Sequence, residues 1–152
     1  MNKISPFLWF DDQAEEAARF YVSVFKNSKV LEVTPGGPNG KAMTVTFELE
    51  GQRVTGLNAG PQFTFNESFS FLVSCEDQAE VDDLWAKLTA NGGEESQCGW
   101  LKDRYGLSWQ IIPTALYAAL GDKDPQKAKR ALEAMLTMKK IDIKALEAAR
   151  RG

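Results

Sequence analysis

Apolar and polar positions follow two periods along this chain, and each change of period marks an element. Phe7-Leu8-Trp9-Phe10 is a short apolar run stopped by Asp11-Asp12, which reads as a strand. From Gln13 to Phe25 the residues Ala14, Ala17, Ala18, Tyr21, Val22 and Phe25 recur at helical spacing. Asp12, with Glu15 three residues later, has the pattern of a capping box, the cap being worth about 1 kcal/mol. Lys29 to Thr34 alternates as a strand, with Val33 on the Leu31 face and Val30 on the other. Met43 to Leu49 and Gln52 to Leu57 form a hairpin across Glu50-Gly51 and lead into Asn58-Ala59-Gly60-Pro61. The order is strand, helix, strand, strand, strand.

That order then returns. Ser68 to Cys75 alternates as a strand, and Glu76-Asp77-Gln78-Ala79-Glu80 opens a helix with Val81, Leu84, Trp85 and Leu88 on one stripe, ended by Asn91-Gly92-Gly93. A second hairpin runs from Cys98 to Pro113, with Asp103 and Gly106 at the first and last positions of a type I turn. On its second strand Ser108 and Gln110 share one face, and Leu107, Trp109 and Ile111 the other. Asp-Gln-Ala-Glu occurs at both 12–15 and 77–80, each time at a strand-to-helix junction, which points to an internal duplication. Superposed, the halves set Ser5 against Ser70, Gly51 against Gly106 and Thr55 against Gln110. Beyond Pro113 the period is helical. Thr114 caps Ala115 to Leu120 with Gly121 as the stop, Asp124-Pro125 starts a longer helix, and Asp142 caps a last one through Ala149. The apolar stripes of these helices must cover either their own sheet or a partner's.

Composition narrows the class. A 152-residue chain buries about 68–70% of its unfolded surface, so a core needs no staples. Two cysteines, no histidine and a net charge of −3 exclude a disulfide framework and argue against a zinc or haem site and a nucleic-acid partner. No long apolar run follows Met1 to Pro6, so neither a signal peptide nor a membrane span is expected; the expectation is a cytoplasmic protein with reduced thiols. The glycine-rich stretch Gly36 to Gly40 is followed by a strand, without the Lys-Ser/Thr pair and helix of a phosphate loop. The chain therefore lacks the strand-to-helix glycine loop that usually holds a nucleoside-bearing cofactor.

Several separated motifs agree in order with one family. Pro6-Phe7-Leu8-Trp9-Phe10-Asp11, Ala14-Glu15-Glu16-Ala17, Phe20-Tyr21, Gly60-Pro61-Gln62-Phe63 and Cys98-Gly99-Trp100-Leu101-Lys102-Asp103 closely resemble the PhnB-like proteins. These belong to the glyoxalase, bleomycin-resistance and extradiol dioxygenase superfamily, also called vicinal oxygen chelate. The resemblance spans about residues 3–113. It implies an α+β fold of two βαβββ modules, about 3–60 and 67–113, forming a half-open barrel with a cavity, followed by a helical extension over 114–152. It also makes a homodimer expected. Some members are labelled demethylubiquinone methyltransferases.

Metal-dependent relatives place histidine and glutamate ligands on the first and last strands of both modules. Carried over, those positions fall near Ser5, Thr55, Ser70 and Gln110, which are hydroxyls and one amide, and PhnB-like members often have histidine where this chain has Gln62. Catalytic divalent ions rely on carboxylate, imidazole or thiolate donors, so neither a bound metal nor another cofactor is expected. Trp9, Trp100, Trp109 and Phe63 suit the walls of an apolar cavity with a few polar handles, although core packing explains any one of them equally well. Asn58 and Gln62 bracket a loop of the kind that carries binding groups. The ligand-binding candidates are Trp9, Thr55, Asn58, Gln62, Ser70, Trp100 and Gln110. The expected function is a metal-free small-molecule-binding protein. The alternative is an enzyme of the lyase, isomerase, dioxygenase-like or methyltransferase type, with Cys98 or Asp103 moving a proton. Against it, Cys98 has no histidine to activate it and packing explains it, turn geometry explains Asp103, and Cys75 reads as inert.

Overall fold

The computed structural model describes residues 3–152, and the chain divides into two units, one ending at Phe65 and one running from Asn66 to Gly152. The first unit holds β1 (Phe7–Phe10), α1 (Ala14–Val24), β2 (Lys29–Thr34), β3 (Thr44–Leu49) and β4 (Gln52–Asn58). Its open, mixed sheet has the order β1-β4-β3-β2, with β1 parallel to β4. Alternation puts Val45, Phe47, Leu49, Val54, Gly56 and Asn58 in the interior, on the side packed by Ala14, Ala17, Ala18 and Tyr21 of α1. Gly56 is required there, because a Cβ would come within 3.3 Å of Ala14 Cβ and of the Phe10 ring. The β3–β4 hairpin closes as expected through Glu50 (φ 47°) and Gly51 (φ 85°), the two left-handed residues of a type I′ turn.

Two local expectations are corrected. Asp12 does not cap α1; it pairs with Lys41 Nζ at 3.2 Å, and the Ala14 amide instead donates to Asn58 Oδ1 at 2.8 Å. In β2 the register shifts between Val30 and Glu32, so Val30 lies opposite Phe47 and Val33 opposite Val45. A bulge at Leu31 thus returns Val30 and Val33 to one face, against the simple alternation.

The second unit repeats the design with β5 (Ser70–Cys75), α2 (Gln78–Thr89), β6 (Glu94–Glu95), β7 (Trp100–Lys102) and β8 (Ser108–Pro113), in the sheet order β5-β8-β7-β6. Val81, Leu84, Trp85 and Leu88 are the buried stripe of α2, as their spacing requires. Here the shared tetrapeptide does cap: Asp77 accepts from the Glu80 amide at 2.9 Å, and Glu80 Oε1 accepts from the Glu76 amide at 2.7 Å. The parallel registers match between units. Phe7 faces Thr55 as Leu72 faces Gln110, and Phe10 faces Asn58 as Cys75 faces Pro113, which are the correspondences the duplication predicts. The hairpin strand starts at Trp100 rather than Cys98. Cys98 (φ 57°) and Gly99 (φ 86°) form a type I′ turn, closed by a bond from the Trp100 amide to the Gln97 carbonyl, that joins the unforeseen β6 to β7.

Three helices complete this unit: α3 (Thr114–Leu120), α4 (Pro125–Met135) and α5 (Ile143–Arg151). Asp124 and Asp142 cap α4 and α5, whereas Thr114 lies inside α3 and makes no capping bond, the cap position falling on Pro113. The helices cover their own chain. Leu116, Ala119, Ala131, Ile141 and Leu146 form a buried cluster with Ile112 of β8. The segment between α4 and α5 accepts the amide hydrogens of Cys98 and Gly99 on the Met138 and Lys139 carbonyls at 2.8 and 2.7 Å.

Candidate functional site

Each sheet has a face turned away from its α1 or α2 helix, and strand register decides what stands on it. In the first unit Trp9 and Thr55 occupy that face, Thr55 beside Thr46 with their hydroxyl oxygens 3.5 Å apart. Trp9 is fixed at both ends of its ring system. Its Nε1 donates to the Gly60 carbonyl at 2.9 Å, and Phe63 meets it edge-on at 4.9 Å between centroids. Gln62 lies over Gly60, where a Cβ would sit 2.7 Å from its Oε1. Ser5 is exposed in the lead-in to β1. Asn58 does not join this group. It is buried on the α1 side, and both ends of its amide are engaged, Oδ1 by the Ala14 amide and Nδ2 by the Ala42 carbonyl at 2.9 Å.

In the second unit the open face brings together Ser70, Trp100 and Gln110, because Gln110 lies opposite Trp100 on β7 and opposite Leu72 on β5. Gln110 Nε2 donates to Ser70 Oγ at 3.0 Å. A polar pair is thereby held on two rigid strands next to an indole. Trp109 points the other way, 1% exposed, with Phe71 at 5.0 Å, so it is core rather than cavity wall.

Of the two candidate proton carriers, Asp103 is held by the turn it sits in. Asp103 is 2% exposed; its Oδ1 accepts from the Tyr105 and Leu107 amides and its Oδ2 from Trp109 Nε1 at 2.9 Å. These bonds make it the anchor of the β7–β8 turn. Cys98 sits in the type I′ turn, not on a strand. The Cys75 thiol is fully buried, and loss of solvation, reinforced by Glu80 and Asp77, pushes its pKa up to about 12.

Sequence reasoning missed a group of residues beside Ser70. Lys102 lies opposite Ser108 on β8 and opposite Glu94 on β6, and its ammonium pairs with Glu67. That hydrogen bond holds the Glu67 carboxyl below its ordinary pKa and raises that of Lys102. The only signal in the chain was the shared face of Ser108 and Gln110. Without β6, nothing placed Glu94 near it.

Comparison with known proteins agrees with this architecture. The family model described as 3-demethylubiquinone-9 3-methyltransferase matches residues 2–112. The PhnB protein of Bacillus cereus is 32% identical, over 74% of this chain and 99% of its own, with a TM-score of 0.68. A Pseudomonas aeruginosa protein of 18% identity covers 74% of this chain and 98% of its own at a TM-score of 0.64. The fosfomycin resistance protein of Listeria monocytogenes, solved with Mn(II) and sulfate, is 15% identical over 71% of this chain and 88% of its own, at 0.50. No curated protein matches the chain. By its matched model and its likeness to the PhnB protein, the chain belongs to the PhnB-like family, described as 3-demethylubiquinone-9 3-methyltransferase.

Proposed function

We propose that the protein binds a planar or aromatic small molecule on the open faces of its sheets and does so without a metal ion. The observation that carries this reading is the Ser70–Gln110 pair beside Trp100. An indole offers a stacking surface, and a neutral amide and hydroxyl offer directional hydrogen bonds, which is the usual composition of a small-molecule site. Trp9, Thr55 and Gln62 supply an equivalent set in the first unit.

The donors do not suit a divalent cation. Ser5, Thr55, Ser70 and Gln110 carry no negative charge, and the amide of Gln110 presents its NH2 to Ser70. Nor does the chain suit the cofactor implied by the family's description. The Gly36 to Gly40 stretch leads through a short 3-10 turn (Pro38–Gly40) into β3, and neither sheet has the doubly wound order that builds a nucleotide crevice. No described helix is long and apolar enough to cross a membrane. A cytoplasmic homodimer completes the proposal.

The test is a thermal-shift screen of planar aromatic compounds on the purified protein, with its metal content measured in parallel. A hit should bind Gln110→Ala about tenfold more weakly, the loss of roughly one hydrogen bond, while the variant remains soluble. Chelation should leave the melting temperature unchanged. A stoichiometric metal, or insoluble Gln110→Ala, would overturn the reading.

A further inference from the structure

Alongside the Ser70–Gln110 pair, and contributed by the second unit alone, lies a cavity of about 170 Å³ lined by Glu67, Glu94, Glu95, Lys102 and Ser108, with Leu101 as its apolar wall. Two independent features mark it. Three carboxylates and a single ammonium line it, and that ammonium is already paired with Glu67. At the same cavity Ser108 is 1% exposed, and its hydroxyl has no hydrogen-bond partner among the described residues. A buried hydroxyl without a partner costs free energy, so a native structure that keeps one calls for an explanation.

We propose that this cavity binds a small organic cation, a primary ammonium on a short polar chain. The ammonium donates to Ser108 Oγ, Glu94 and Glu95 balance its charge, and Lys102 stays with Glu67. Size fits, because water occupies about 30 Å³ per molecule in the liquid, so the cavity holds only a few heavy atoms. A quaternary ammonium is disfavoured, since no aromatic ring lines the space to provide the usual cation–π contact. A metal ion is disfavoured too: among the described residues no three His, Cys, Asp or Glu side chains converge closely enough to hold one. The inference rests on the reading that this face takes up small molecules, and adds the charge and size of what enters beside Ser70.

The experiment is a titration of the full chain with 2-aminoethanol at neutral pH, followed through backbone amide resonances. Saturable shifts are expected at Leu101, Lys102 and Ser108. Ser108→Ala should weaken the affinity about tenfold, the ordinary effect of losing a charge-assisted bond, and Glu94→Gln, at an exposed position, about two- to fivefold. Gln110→Ala, which removes no group that lines the cavity, should weaken it less than either. Glu94 is exposed, so its variant folds and keeps the test open even if Ser108→Ala does not. Equal shifts with ethylene glycol or glycolate would overturn the cation assignment. Loss of the shifts in Gln110→Ala would move the probe to the Ser70–Gln110 pair and overturn the cavity assignment. A protein that binds an aromatic compound but not 2-aminoethanol would overturn this inference alone, and one that binds neither would overturn both.

Discussion

Single residues here divide by whether their polar atoms are already occupied. Asp103 and Asn58 look chemically able in the sequence, yet Asn58 bonds the Ala14 and Ala42 backbone, and Asp103 holds the Tyr105 and Leu107 amides and the buried Trp109 ring. Gln110, by contrast, spends one donor on Ser70 and stands beside Trp100. Cys75 is a third kind, a group whose environment forbids its charge. Burial lifts its pKa from 9.0 to about 12, so the folded chain keeps a proton that the unfolded chain gives up. The unfolded state then binds fewer protons between those values, and stability falls as pH rises through the interval, by at most about 1.4 kcal/mol per pH unit. The contribution is intact below about pH 9. Urea denaturation at neutral pH and near the middle of the interval should show this decline in the parent and a shallower one in Cys75→Ala. Identical slopes would mean that other groups set the alkaline limit.

Elements show why the two copies of one tetrapeptide behave differently. At the second junction the aspartate caps α2 directly, and the rule read from sequence holds. At the first, a side chain 44 positions downstream takes over, because Gly56 lets the start of α1 settle against β4 and brings Asn58 within reach of Ala14. Strands, helices and the duplicated register were legible, since each follows from local periodicity. Capping by Asn58, the Leu31 bulge, β6 and the Glu67–Lys102–Glu94–Ser108 group were not, because each depends on partners that only the sheet brings together. The shared face of Ser108 and Gln110 was legible from strand alternation, whereas Ser70 came only from superposing the two halves, and Trp109 and Asn58 alternate onto the helix side. Asn58→Ala should therefore destabilise the first unit by about 2–3 kcal/mol, since it removes a helix cap and strips the buried Ala42 carbonyl of its partner. Asp12→Ala, which breaks only an exposed ion pair, should cost less than about 1 kcal/mol. Equal costs in equilibrium unfolding would return the cap to Asp12.

At the scale of the molecule, the C-terminal helices do more than add mass to the second unit. They bury Ile112, the residue two positions after Gln110 on the same face of β8, and their α4–α5 connection grips the turn that delivers Trp100 to that face. Gly99 shows how tight the grip is, for a Cβ there would fall 2.7 Å from Ile112 Cδ1 and 3.2 Å from Ile141 Cγ1, at a φ of +86°. The β6–β7 hairpin is short and edge-placed, so by itself it has little to hold its shape. Leu146→Ala, which opens the helical cluster at a fully buried position, should cost about 2–5 kcal/mol. Its local effect is the sharper test. Amide protons of Cys98 and Gly99, which donate to Met138 and Lys139, should lose hydrogen-exchange protection in this variant. Those of Tyr105 and Leu107, held by Asp103 at the other end of β7, should keep theirs. If both ends of the hairpin loosen together, the helices stabilise the unit only as a whole; if only the Cys98–Gly99 end loosens, they are the support that positions Trp100 beside Gln110.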